Sequence, residues 1–299
     1  MKAIFHFAIL VCLCLSFSSL EAVQPKKKKV VPEFKWVNPS NFKHNHLHHK
    51  TFVSPSMSLE VGYHIYLPPS YESNSQKRFP VIYYLHGGRP GSESKSIKLV
   101  PLMHDAMSTG QVAEMIYVFV NGGKVSHYNM PKLGSMGEDI FVKELIPHID
   151  SSYRTIAKRE GRGIEGFSQG GRGTTRIMFE HPQLFISCAP GGSGYETEKK
   201  ISESGGYENE KLFFGPGYNT WDRAKKYAKT KSPTLNIMFH VGTAGFNYQN
   251  NLAYMKFMDE LSIPYQKVIV PDAPHSAMKI YEKEGLTLMK FHANNFIQK

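Results

Sequence analysis

The chain of 299 residues is 41% hydrophobic and carries 36 Lys and Arg against 25 Asp and Glu, a net charge of +11. That length suffices for one α/β domain with a sizeable core, and three cysteines exclude a scaffold built on disulfides. The charge permits attraction to acidic polymers. The basic residues are spread out, without the arginine–aromatic interleaving that suits nucleic acid, so no nucleic-acid partner is expected.

Residues 1–22 read as an export signal, with Lys2 as a short positive start, Ala3 to Leu15 as an apolar run, and small residues from Ser16 to Ala22 for cleavage. The run is short for a membrane span and no second apolar stretch follows it. No stable membrane insertion is expected, and the predicted destination is secreted or periplasmic. Cleavage after Ala22 removes Cys12 and Cys14. Cys188, in the apolar stretch 184–189, then reads as a buried structural thiol. Residues 23–50 read as a flexible basic and His-rich stub that includes Lys26 to Lys29. His44, His46, His48 and His49 have no nearby Cys or carboxylate partners, so they read as an exposed linker and no metal site is predicted.

The folded domain is placed at 51–299. Ser58 to Leu67 alternates and suits an antiparallel strand ended by Pro68-Pro69. Phe79 to Leu85 and Met115 to Val120 are compact apolar runs suited to strands buried on both faces. Gly137 to Tyr153 has a helical pattern. Gly163 to Phe167 suits a buried strand and Gly170 to Glu180 a helix, which His181-Pro182 ends because the residue before proline avoids helical angles. Gly191 to Ser232, rich in Gly, Tyr and charge, reads as an insertion. Leu235 to Val241 and Tyr265 to Val270 are further strands. Between them Leu252, Met255, Met258 and Leu261 fall on one face of a helix over 248–261. Strands alternating with helices predict an α/β fold, a mostly parallel central sheet with helices on both faces.

Three features carry chemistry. Gly166-Phe167-Ser168-Gln169-Gly170 is a G-x-S-x-G turn between a strand and a helix, the nucleophile elbow of α/β-hydrolases, which makes Ser168 the candidate nucleophile. His86-Gly87-Gly88 directly follows a buried strand. Backbone N–H groups of Gly87 and Gly88, together with that of Gln169, are the candidate oxyanion donors. His275, in a loop after the last strand, is the candidate base. The order of oxyanion loop, serine and histidine matches this fold.

With these residues in hand the chain resembles the esterase family that contains feruloyl esterases, esterase D-type enzymes and antigen 85 mycolyltransferases. The resemblance runs from about Ser58 to the end. It rests on Tyr66-Leu67-Pro68-Pro69-Ser70-Tyr71, on Phe79 to Gly88, on Glu144-Leu145-Ile146-Pro147 with Tyr153-Arg154-Thr155, and on the elbow with His181-Pro182 and Leu184-Phe185 behind it. The family usually has Met where Gln169 stands, a change of small consequence because that residue acts through its backbone. The family's catalytic acid follows the strand matching Leu235 to Val241, and there this chain has Gly245.

A triad that loses its carboxylate can lose on the order of 10⁴ in kcat. Three readings stand open. The acid has moved, with Glu196 the best-placed candidate; Asn247 or Asn250 orients His275 as a neutral amide; or the chain is a weak or inactive homologue. Asp272 lies too close to His275 along one loop to be preferred, and Asp222 and Glu208 lie in the insertion.

The leading expectation is a secreted serine esterase working without cofactor or metal. The resemblance implies an acetyl or hydroxycinnamoyl ester on polysaccharide as substrate, and export argues against the cytosolic S-formylglutathione role found in the family. The alternatives are an acyltransferase with the same site, a catalytically silent binding protein, and adhesion through the basic stub.

Overall fold

The computed structural model describes residues 34–195 and 217–296. Among these residues eight strands form one sheet: β1 (Leu47–Ser54), β2 (Leu59–Tyr66), β3 (Val81–Leu85), β4 (Ile116–Val120), β5 (Arg162–Phe167), β6 (Ser187–Gly191), β7 (Asn236–Gly242) and β8 (Gln266–Val270). Their order is β1-β2-β4-β3-β5-β6-β7-β8. β1 pairs antiparallel with β2, and β2 with β4. The other neighbours are parallel.

The wholly apolar runs β3 and β4 are buried at every position because both faces of the sheet are covered. Val81, Tyr83 and Leu85 join a core with Ile177 and Met178 of the Gln169–Glu180 helix and Tyr254, Met255 and Met258 of the Tyr248–Glu260 helix. Ile82 and Tyr84 point to the opposite face, which is filled by Met103 and Met107 of the Val100–Ser108 helix and by Ile280, Leu288 and Met289 of the Ala277–Asn295 helix. This is the mostly parallel α/β sheet expected from the alternation of strands and helices, in the α/β-hydrolase arrangement expected from the G-x-S-x-G turn.

Register brings the carboxyl ends of the parallel strands to one edge. Leu85 sits opposite Val120 and Gly166, Phe167 opposite Gly191, and Gly242 opposite Val270. The loops carrying His86, Ser168, Gly192, Asn247 and His275 therefore leave the sheet on the same side, where open α/β sheets bind ligands.

The structure corrects two expectations. Within 23–50, residues 34–50 are not a flexible stub. Leu47 to Lys50 belong to β1, Trp36 O accepts from Gly62 N at 2.7 Å, and His49 Nε2 lies 3.0 Å from Glu93 Oε1. β1 is an edge strand with only Phe52 and Ser54 buried, so its sequence needs no apolar face. The predicted helix over 137–153 is interrupted. Short α segments Gly137–Asp139 and Ile146–Ser152 flank a π turn at Ile140–Leu145. Pro147 has no N–H to continue the ladder, and the wider turn absorbs the break. Of the predicted insertion, Gly191 closes β6 and Thr220–Ala228 is a helix, while 196–216 lies outside the described residues, as does the predicted signal at 1–22.

The elbow helix is tied to its neighbours by a buried ion cluster. Glu138 receives Arg223 NH1 at 3.0 Å, Arg176 Nε at 3.4 Å and His181 Nε2 at 3.4 Å. Burial opposes the charge on Glu138, but His181, Arg176 and Arg223 outweigh it and hold the carboxyl far below its ordinary range. Removing one partner of such a buried group costs about 3–5 kcal/mol, so this cluster fixes where the helix starting at Gln169 sits.

Candidate active site

β5 ends at Phe167 and the next helix begins at Gln169, so Ser168 alone makes the turn. Its φ of 61° and ψ of −117° lie where a non-glycine residue is strained by about 1–3 kcal/mol. The surroundings hold it there. Ser168 N donates to Gly191 O at 2.8 Å, and Ser168 O accepts from Arg172 N at 3.1 Å. A Cβ on Gly170 would collide with the Leu85 carbonyl oxygen, so only glycine lets the helix start this close to β3. The result is a serine hydroxyl raised above the sheet edge.

His275 comes from the loop after β8. Its Nε2 lies 2.9 Å from Ser168 Oγ and its Nδ1 lies 3.2 Å from Asn247 Oδ1. Asn247 is buried, and its Nδ2 donates to Gly192 O. A carbonyl can only accept, so the NH₂ must face Gly192 and the amide oxygen must face His275. Nδ1 of His275 then carries the hydrogen and donates it, leaving the Nε2 lone pair for the serine hydroxyl. Asn251 braces the arrangement. Its Nδ2 donates to Asn247 O at 2.8 Å and to Ser193 O at 2.5 Å, and its Oδ1 accepts from Ser193 N at 3.1 Å. Burial pushes His275 down to about 4, so the imidazole is neutral near pH 7 and able to take a proton.

Gly245 explains how the amide fits. A Cβ built there would lie 3.3 Å from Asn247 Oδ1 and 3.7 Å from His275 N. A side chain at 245 and the amide of Asn247 compete for one space, and here the amide fills it.

The loop after β3 packs on Ser168, since a Cβ on Gly87 would be 3.1 Å from Ser168 Cβ. His86 Nδ1 donates to Gly87 O at 3.0 Å, while its Nε2 accepts from Gly122 N at 3.1 Å and Ser92 N at 3.3 Å. Burial, with His127 and Lys95 nearby, keeps His86 neutral, as two N–H donors on Nε2 require. Lys95 Nζ donates to Gly87 O at 3.2 Å and Ser126 Oγ to Gly88 O at 2.5 Å. Both glycine carbonyls are thus engaged. Gln169 occupies the first turn of its helix, where backbone N–H groups have no intrahelical acceptor and the dipole favours negative charge.

Ser168, His275, Gly87, Gly88 and Gln169 therefore meet at one place. Asn247 rather than Asn250 faces His275. Glu196 and Glu208 lie outside the described residues. Asp272 is exposed, with its N–H on Thr243 Oγ1 at 2.9 Å, and Asp222 sits at the start of the Thr220–Ala228 helix with Asn219. Cys188 is buried, and burial raises its thiol well above the usual range, consistent with a structural role. Among the described residues no three His, Cys, Asp or Glu side chains form a group able to hold a metal ion, and no helix is long and apolar enough to cross a membrane.

Sequence reasoning missed the wall behind the His86–Gly88 loop. Ser126 and His127 both have positive φ, 50° and 62°, and His127 Nε2 lies 3.1 Å from His86 O. The signal available was Asn121-Gly122-Gly123 directly after a buried strand.

A family model described as "Putative esterase" matches residues 54–262. Esterase Rv1288 of Mycobacterium tuberculosis is 26% identical over 142 residues, 46% of this chain and 30% of that protein. The endo-1,4-beta-xylanase/feruloyl esterase of Xylanibacter ruminicola is 30% identical over 154 residues, 48% of this chain and 21% of that protein. The chain thus spans less than a third of the length of these curated relatives. Among solved structures, a ferulic acid esterase superposes with a TM-score of 0.69 at 22% identity, covering 84% of this chain and 98% of its own. A fluorophosphonate-binding serine hydrolase of Staphylococcus aureus gives 0.70 at 19% identity, covering 82% and 98%. These likenesses speak for the fold, and the family match, which takes in well over half of the residues, shows that the chain belongs to the esterase family of α/β-hydrolases.

Proposed function

We propose that the chain is a serine hydrolase of carboxylic esters. The observation that carries this reading is the 2.9 Å approach of His275 Nε2 to a Ser168 Oγ held on a strained turn. In this mechanism Ser168 Oγ attacks the ester carbonyl carbon while His275 Nε2 takes its proton. The N–H of Gln169 and the Gly87–Gly88 loop receive the developing oxyanion. The tetrahedral intermediate collapses, the C–O bond to the alcohol breaks, and His275 returns the proton to that oxygen. Water, deprotonated by the same Nε2, then attacks the acyl-enzyme; the acyl–Oγ bond breaks, Nε2 returns its proton to Ser168 Oγ, and the carboxylic acid leaves. Asn247 holds the imidazole throughout as a neutral acceptor.

Gly245 at the family's acid position favours a second reading, a silent homologue that retains the pocket. The bonded Asn247 amide supports the active one. The name of the xylanase/feruloyl esterase relative supports a hydroxycinnamoyl ester on a polysaccharide as substrate, an acetyl ester stays the alternative that the sequence resemblance implies, and the apolar leader at 1–22 supports export.

The test is steady-state hydrolysis of p-nitrophenyl acetate and methyl ferulate by the folded protein. Turnover is expected. Because His275 must be unprotonated to act, kcat/KM should be sustained above about pH 4 and lost as pH falls through that value. Absence of turnover on both esters would support the silent homologue.

A further inference from the structure

Among the described residues two large apolar side chains stand mostly in solvent, Val53 and Phe246, at 67% and 66% exposure. Val53 projects from the edge strand β1. Phe246 is placed differently. It lies between Gly245 and Asn247, in the loop that supplies the partner of His275, and its ring centroid is 4.3 Å from the His275 ring at an interplanar angle of 50°. Phe167, which is buried, approaches the same imidazole at 4.9 Å. The histidine therefore touches one phenyl ring that belongs to the core and one that is mostly exposed to solvent. A single exposed apolar residue on a surface needs no explanation, but one laid against the reacting group at a sheet edge is positioned to be covered by substrate.

Geometry says which part of the substrate. The acyl group hangs from Ser168. The alcohol oxygen must come within hydrogen-bond reach of His275 Nε2 to be protonated as it leaves. The group borne by that oxygen is then carried next to the ring packed on the imidazole. Flat rings, whether aryl or the C–H face of a sugar, stack on such a surface, while a short alkyl chain covers little of it.

We propose that Phe246 is a specificity-determining residue that receives the ring of a cyclic alcohol portion of the ester. This rests on the serine-esterase reading above. With the acyl group held constant, kcat/KM is measured for ethyl acetate, 2-phenylethyl acetate and a methyl xyloside monoacetate. The proteins compared are wild type, Phe246→Ala, Phe246→Tyr and Val53→Ala. The expected result is a preference of wild type for at least one ring-bearing acetate over ethyl acetate. That preference should fall about 10-fold in Phe246→Ala, the scale on which an apolar pocket discriminates, and persist in Phe246→Tyr and Val53→Ala. Which acetate responds tells an aryl from a sugar alcohol. If all three acetates are hydrolysed and the ratios are the same in wild type and Phe246→Ala, the proposal is overturned and the esterase reading stands. If folded wild-type protein hydrolyses methyl ferulate but none of the three acetates, the proposal is overturned and the esterase reading stands; if it hydrolyses neither methyl ferulate nor any acetate, both fall together.

Discussion

Replacing Ser168 by alanine is expected to lower kcat on an aryl acetate by about 10⁵- to 10⁶-fold, and His275→Ala by a similar factor. The reason is that neither group acts alone. The hydroxyl is a poor nucleophile unless Nε2, 2.9 Å away, takes its proton, and the imidazole has nothing to activate once the hydroxyl is gone. The double variant should therefore be little slower than either single one. The remaining rate over water would come from the backbone donors around Gln169 and Gly87. Thermal unfolding serves as the control, since Ser168→Ala keeps a Cβ at the strained turn and removes one half-buried hydroxyl. A variant that is folded but retains near-wild-type kcat would remove Ser168 from the mechanism.

The second large effect concerns what orients His275. Asn247→Ala is expected to lower kcat by about 10²- to 10⁴-fold, the contribution of a positioned base. It removes both the 3.2 Å contact to Nδ1 and the tie to Gly192 O, so the half-buried imidazole keeps neither its tautomer nor its angle. Adding Gly245→Asp to that variant should recover activity. The new Cβ would stand close to the position vacated by Asn247 Oδ1, and a carboxylate there accepts from Nδ1 and also stabilises the imidazolium. Recovery beyond the wild-type rate is the expected outcome. Asn247→Asp alone should not match it, because one carboxylate oxygen would then face the Gly192 carbonyl in a buried site with no proton between them. If Asn247→Ala leaves kcat unchanged, the imidazole is oriented by some other group.

The parts of this molecule that were readable from sequence are those where sterics leave few choices. Gly170 has to be glycine because the Leu85 carbonyl lies against it, so the elbow advertised itself as a motif. β3 and β4 are covered on both faces and had to be apolar throughout. β1 pairs only with β2, at the sheet edge, and its histidines and lysine looked like a linker because nothing demanded otherwise. Asn247 could be named as one of two amides but not chosen. The residue that fixes its orientation, Gly192, is 55 positions away and reaches it only through the parallel pairing of β6 with β7. The same holds for His127, which braces His86 across 41 positions.

In the proposed mechanism Ser168 is a nucleophile activated by a histidine whose partner is an amide. Its most direct test is labelling of the folded protein with a fluorophosphonate probe, followed by mass spectrometry of the peptide containing Ser168. A stoichiometric adduct on Ser168 is expected, lost in His275→Ala and formed much more slowly in Asn247→Ala. Folded wild-type protein that acquires no adduct at Ser168 would contradict it.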